Sequence, residues 1–306
     1  MFIHANNGGT MPLTGFEYPD GDIVSLEDVN TGNVDVMRMG IALPTLLHMA
    51  KQRDNNRPPS TTELLIGTCQ AYLQRKVDYT INPQDNAFAL AGTMHHSKLE
   101  DSANEVDMGL NAEVALEYEG ITGIVDLYDE NNKTLIDYKN TGSYKITRLL
   151  GIQFKYGKHP TERYKRSGKW GKVGSRKRIK IFYEDPETAD FGEWGWQINW
   201  YRLLLEKNGY PVDDMYIQAT VRDGGIAMAR DRGVDKNIYL IKVPYIHNDH
   251  LLDKFLTNRD DLVDALRNDS LPDICNDEET WDGRKCEAYC PVRFKCPYIR
   301  KERNEE

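Results

Sequence analysis

GIVDLYDENNKTLIDYK, residues 123–139, is the stretch on which the reading of this chain turns. Two runs of β-branched and aromatic residues flank Asp129-Glu130-Asn131-Asn132, whose composition favours a tight turn. The pattern predicts a hairpin in which strands 123–128 and 134–139 pair. Side chains alternate along a strand, so Leu135 and Asp137 face one way and Ile136 and Tyr138 the other. Asp137 and Lys139 then share a face, and the returning strand carries Asp126 towards Asp137. Carboxylates gathered beside a lysine suit a hard divalent cation, which keeps several waters and needs only one or two carboxylates. Such a cation polarises a phosphoryl oxygen and acidifies an attacking water, and a nearby ammonium stabilises the charge that develops. Alone, Asp137-Tyr138-Lys139 is equally the signature of a salt-bridged exposed strand, so its neighbours decide.

Upstream, Ser60 with Glu63 in the capping-box position predicts a helix over STTELLIGTCQAYLQRK. A second helix is expected over 87–105 and a further strand over 113–118. Residues 1–58 hold Gly, Asn and Pro clusters and one possible helix at 41–52. They read as an N-terminal extension. Downstream, a helix over 191–207 stops at Asn208-Gly209, strands follow at 215–222 and 238–243, and a polar-faced helix spans 249–267. Strands and helices in this order predict an α/β fold with a mixed central sheet flanked by helices. The expected divisions are the extension 1–58, a core 59–270 with a basic insertion at 151–183, and a Cys-rich tail 271–306 packed on the core.

The chain has 306 residues and a net charge of −9, unevenly spread. Between Lys155 and Lys180 lie eleven Lys/Arg residues and one acid, Glu162, so this strip carries +10 and the rest of the chain −19. A basic strip on an acidic body is the footprint of a polyanion. Aromatic residues within it, Tyr156, Tyr164, Trp170, Phe182 and Tyr183, suit base stacking along a single strand. Lys165, Arg166, Lys169, Trp170, Lys172, Arg176, Lys177 and Arg178 are the DNA-binding candidates. No apolar run approaches the ~20 residues of a membrane span, and the first residues lack the segments of a secretory signal. A cytoplasmic, reducing compartment is expected, in which five cysteines are metal ligands or free thiols rather than disulfides. Cys286-x3-Cys290-x5-Cys296 is the local cluster, with Cys275 upstream and Cys69 distant.

Five elements in sequence order resemble the RecB-like branch of the PD-(D/E)XK nucleases, which includes CRISPR-adaptation nucleases and the AddB nuclease domain. Ser60–Leu65 resembles the S-x-T-x-L-L opening. Gly92-Thr93-Met94-His95-His96 resembles the motif whose histidine helps hold a metal. Gly123–Asp126 matches G-x-x-D, Asp137–Lys139 matches D-x-K, and Gln197–Tyr201 matches Q-x-x-x-Y. The resemblance covers residues 60–201 and implies a restriction-endonuclease-like core. It implies that His96 (with His95 as competitor), Asp126, Asp137 and the Tyr138 carbonyl bind Mg²⁺ or Mn²⁺. Lys139 would position the nucleophilic water, and Gln197 and Tyr201 would contact DNA or brace Lys139.

Relatives of this kind close a [4Fe-4S] cluster with one cysteine from the N-terminal helix, where Cys69 stands, and three near the C-terminus. The spacing here departs from the usual x2 then x5, and Cys275 offers a local fourth thiol. Either Cys69 or Cys275 can complete the set with Cys286, Cys290 and Cys296, and four thiolates suit a cluster or structural Zn²⁺. The implied activity is a metal-dependent DNase, an exonuclease acting on single-stranded DNA or DNA ends. The alternatives are end trimming in CRISPR adaptation and an inactive DNA-binding module. No G-x-x-x-x-G-K-[ST] loop is present, so a helicase, like a recombinase or integrase partner, would be another chain.

Overall fold

Strand β1 (Leu13–Glu17) pairs antiparallel with β2 (Ile23–Ser25). Three short helices follow, α1 (Leu26–Thr31), α2 (Val36–Met39) and α3 (Leu43–Met49). The description is a computed structural model covering residues 12–51, 54–106 and 108–299; the outer ends of the extension and of the tail lie outside it. The predicted helix beginning at Ser60 is instead a 3₁₀ turn, Glu63–Leu65, followed by α4 (Thr68–Lys76). Gly67 between them has φ +96°, a conformation open to glycine and incompatible with a continuous helix. The Ser60–Glu63 capping contacts do form, and Glu63 is buried in a two-pronged ion pair with Arg75, 2.6 Å on each prong.

β3 (Tyr79–Ile81) pairs in parallel with β1. The boundary expected at residue 58 is therefore not a structural division. Phe16, Val24, Val29, Met39 and Leu46 of the first fifty residues belong to the same core as the later elements.

After α5 (Ala87–Asn104) come β4 (Leu110–Tyr118), β5 (Ile121–Asp129) and β6 (Thr134–Thr141). The β4–β5 turn is Glu119-Gly120, both at positive φ, as a two-residue hairpin matching the sheet twist requires. Next are α6 (Ser143–Leu149), the long ribbon β7 (Ile152–Arg163) and β8 (Arg176–Glu184), and α7 (Glu193–Lys207). β9 (Asp214–Val221), α8 (Ala227–Asp231), β10 (Ile238–Lys242), α9 (Asn248–Asn268) and α10 (Asp277–Thr280) complete the chain.

The central sheet is mixed and five-stranded, ordered β10-β9-β6-β5-β4, with β6 and β9 parallel and the other pairs antiparallel. α7 is buried on almost every side, as a helix enclosed between sheet and helix must be. Its Trp200 stacks on Phe255 of α9 at 4.3 Å between ring centroids. The opposite sheet face carries a small cluster of Ala103, Leu127 and Tyr138 under α5. No helix among the described residues is long and apolar enough to cross a membrane.

Candidate active site and metal centre

The site lies where β5 and β6 part. Their ladder runs only over Leu127↔Ile136, Tyr128↔Leu135 and Asp129↔Thr134, while β6 continues along β9 to Thr141. At the end of that ladder the Asp126 carboxylate takes the place of a main-chain partner: its Oδ2 accepts the Tyr138 N–H at 2.7 Å. The alternation of faces slips here as well. Val125 packs in the main core, yet Leu127, two residues on, packs under α5.

On the other side of Asp126, Glu113 of β4 sits at φ +50° within a pairing that otherwise runs unbroken in register. α5 covers the seam and brings His96 Nδ1 to 3.4 Å from Asp126 Oδ1. One ligand atom from each of His96, Glu113 and Asp126 lies within 4.8 Å of the others, the spread of a cation's coordination sphere. Glu113 escaped the sequence reading. His95, its rival there, instead meets Thr220 of β9 at 3.1 Å.

Asp137 stands beside this trio, 2% exposed. Its Oδ2 is 2.8 Å from Lys139 Nζ, and beyond that ion pair neither oxygen accepts a hydrogen bond from the described residues. Burial, offset in part by Lys139 and reinforced by Asp126, pushes its carboxyl up to about 6. Burial followed by Asp126 and Glu100 also raises Glu113, whereas the Asp126 contact raises His96. For Asp137 and Glu113 burial is the first cause, and the neighbouring Asp126 carboxylate adds to it.

Lys139 donates to Gln197 Oε1 at 3.0 Å, and Gln197 Nε2 donates to the Tyr201 hydroxyl at 3.0 Å. The pair lies one turn apart on α7, so this helix braces the lysine. Burial, with Asp137 adding to it, raises the Tyr201 phenol, which stays neutral as an acceptor. Gly123 has a steric reason: a Cβ there would meet Leu204 Cδ1 at 2.5 Å and Tyr201 Cε1 at 2.9 Å, so glycine sets how closely β5 approaches α7. Of Tyr138, the amide serves Asp126 and the ring packs edge-on against both histidines.

The five cysteines line one cavity of about 540 Å³, and none is in a disulfide. Cys69, on α4, faces Cys275 and Cys296, and these neighbours push its thiol up. The contact with Cys69 lowers the Cys275 thiol to about 7, while burial raises Cys290 to about 11. Cys286 rides on a π-helical turn, Lys285–Tyr289, and the buried Lys285 Nζ donates to the Ile66 carbonyl at 2.8 Å.

The basic strip forms the β7–β8 ribbon. Lys165, Arg166, Lys169, Trp170 and Lys172 are exposed on its connecting loop, and Arg176, Lys177 and Arg178 open β8. Lys177 is paired with Glu162 at 2.7 Å. Pairing of Phe154 with Phe182, Tyr156 with Lys180 and Lys158 with Arg178 sets these six on one face. There Arg178 lies 3.3 Å above the Tyr156 ring and Lys180 4.6 Å above Phe154.

No protein-family model matches the chain, and no curated protein is similar to it. A solved structure, the crystal structure of SSO0001, is similar with a TM-score of 0.41 at 12% identity, covering 83% of this chain and 92% of that one. At that level the likeness carries no further argument.

Proposed function

We propose that the chain is a Mg²⁺- or Mn²⁺-dependent deoxyribonuclease of the RecB-like PD-(D/E)XK type, on a restriction-endonuclease-like core. The observation that carries the reading is the convergence of His96, Glu113 and Asp126 beside a buried Asp137–Lys139 pair. His96, Glu113 and Asp126 would hold the cation, with Asp137 and the Tyr138 carbonyl completing the oxygen ligands as the resemblance implies. When bound, the cation polarises a phosphoryl oxygen and acidifies a water. Lys139, fixed by Asp137 and Gln197, aims its ammonium at the phosphate and the incoming water, where negative charge grows. The α7 relay keeps that ammonium in place before substrate arrives.

The stacked cations and rings of the β7–β8 ribbon support single-stranded DNA or a DNA end as substrate, since rings take bases of any sequence and guanidinium and ammonium groups take phosphates. Any helicase, recombinase or integrase would act as a separate chain. For the thiol cavity we propose a structural [4Fe-4S] cluster. The extra residue between Cys286 and Cys290 coincides with the π turn, the form a one-residue widening of a helix takes.

The test is degradation of end-labelled single-stranded DNA with Mn²⁺. Lys139→Ala is expected to lower the rate by about 10²–10³-fold. Equal activity in the two proteins, or none in either, would favour the DNA-binding module without hydrolysis.

A further inference from the structure

A cavity of about 780 Å³ opens beside the carboxylate seam, between β6 and α6, the start of α7 and the C-terminal segment. Sites for one small molecule have volumes of this order (~300–1,000 Å³). Thr141, two residues beyond Lys139 on β6, lines it, as does Trp194 on α7. Trp194 stands one turn before Gln197, so the helix face that braces Lys139 also carries this ring. Lys139 Nζ lies 5.6 Å from the Trp194 ring centroid and Lys145 Nζ 4.8 Å from it. One indole is thus within cation–π reach of both lysines. The Lys145 ammonium makes no hydrogen bond or ion pair among the described residues. Burial lowers it from its ordinary range, against the pull of Asp190. An anion set beside it would stand in for the hydration that burial removes.

The other wall brings Trp281 and Tyr289, both exposed, with 5.7 Å between ring centroids. Trp281 Nε1 donates to Glu193 Oε1 at 2.9 Å, which holds this wall against the start of α7. The charges are divided between the walls. Asp190 is paired with Arg148 and Glu278 with Lys254, which leaves Asp277 and Asp282, beside Arg284, on the Trp281 wall. Those two carboxylates turn a phosphate away, while Lys139 and Lys145 draw it to the opposite side. We propose, resting on the deoxyribonuclease reading above, that the cavity is the subsite for the nucleotide adjoining the phosphate at Lys139. Its base lies against Trp281 and Tyr289, and the next phosphate along the strand sits on Lys145. Trp194, between the two ammonium groups, is a positioning residue for both.

A short single-stranded oligonucleotide of iododeoxyuridine is bound to the full-length wild-type protein in chelator and irradiated, and the crosslinked residues are identified. Crosslinks at Trp194, Trp281 or Tyr289 are expected. Crosslinks confined to the β7–β8 ribbon overturn the subsite, and this readout needs no substitution. Affinity for a thymidine oligonucleotide of the same length is then measured against salt, with circular dichroism reporting the fold. Trp281→Ala should weaken binding by about tenfold, and Trp281→Phe should recover most of it. Lys145→Gln should reduce the salt slope by about 0.7, and Lys145→Arg should keep it. Unchanged affinity in folded Trp281→Ala, or an unchanged slope in folded Lys145→Gln, overturns the subsite equally. Cleavage with Mn²⁺ is scored separately on the wild type. No cleavage alongside crosslinks in the cavity defeats the hydrolytic reading and leaves the subsite standing, whereas cleavage with crosslinks on the ribbon alone does the reverse.

Discussion

Asp126 and Asp137 are set by the two strands of one hairpin, whereas Cys69 is separated from Cys275 and Cys296 along the chain by the whole central sheet. The carboxylate seam is held by main-chain pairing, by the Tyr138 amide on Asp126 and by the Lys139–Gln197–Tyr201 relay. The thiol cavity is walled by α4 and short helical turns, tied by the Asn276–Glu279 capping box, by Lys285 on the Ile66 carbonyl and by Tyr298 on the Pro272 carbonyl. On the proposed readings, the first site would keep its shape without a cation, and the second would depend on the cluster that fills it.

The largest expected effect follows from that difference. Cys286→Ser should remove the iron and destabilise the protein by about 4 kcal/mol or more, a fall in melting temperature on the order of 10 °C for a chain of this size. Chelating the divalent cation should lower the melting temperature by much less. Similar responses to both treatments in a calorimeter would erase the distinction between the sites.

Glu113→Gln should lower Mn²⁺-dependent hydrolysis by about 10²-fold, while the cation-free protein melts at the same temperature or higher. The sign follows from burial and Asp126 already disfavouring the ionised Glu113. Undiminished activity would remove Glu113 from the site.

Asp137 sharpens the contrast through pH. Its folded value of about 6 lies above the ordinary 3.8, so folding favours the protonated form and stability is lost as pH rises through that window. Measured by denaturant in a chelator, Asp137→Asn should match the wild type near about pH 4 and exceed it by about 3 kcal/mol near about pH 7. Divalent cation should shrink the gap. A gap of opposite sign would mean that Asp137 is stabilised as a carboxylate by Lys139 alone.

The smallest effect on the fold is expected at the ribbon. Arg178→Ala should change stability by no more than about 0.5 kcal/mol, weaken single-stranded DNA binding by about tenfold and reduce the salt slope by about 0.7. Unchanged affinity would leave the ribbon a solvated hairpin.

The hairpin that gathers Asp126, Asp137 and Lys139 was legible because its alternation and turn residues are local. Glu113 was not, since LNAEVALEY reads as an ordinary alternating strand. Its role comes from lying across from Asp126 at a positive φ, which a register unknown from sequence decides. The break at Gly67 escaped for a related reason: a capping box marks where a helical turn starts, while the close approach of Cys275 and Glu279 to that glycine is a tertiary contact. The first fifty residues looked peripheral because β3, the strand that joins β1 to the later chain, lies beyond four helices.

The division of the thiol cavity between α4 and residues 275–296 also bears on how the protein is made. The first sulfur leaves the ribosome long before the rest, and the sheet must assemble in between. Under the proposed cluster reading, metal insertion would be a late step in biogenesis, and chains produced under iron starvation would build up with a finished β-sheet and an unsealed C-terminal flank.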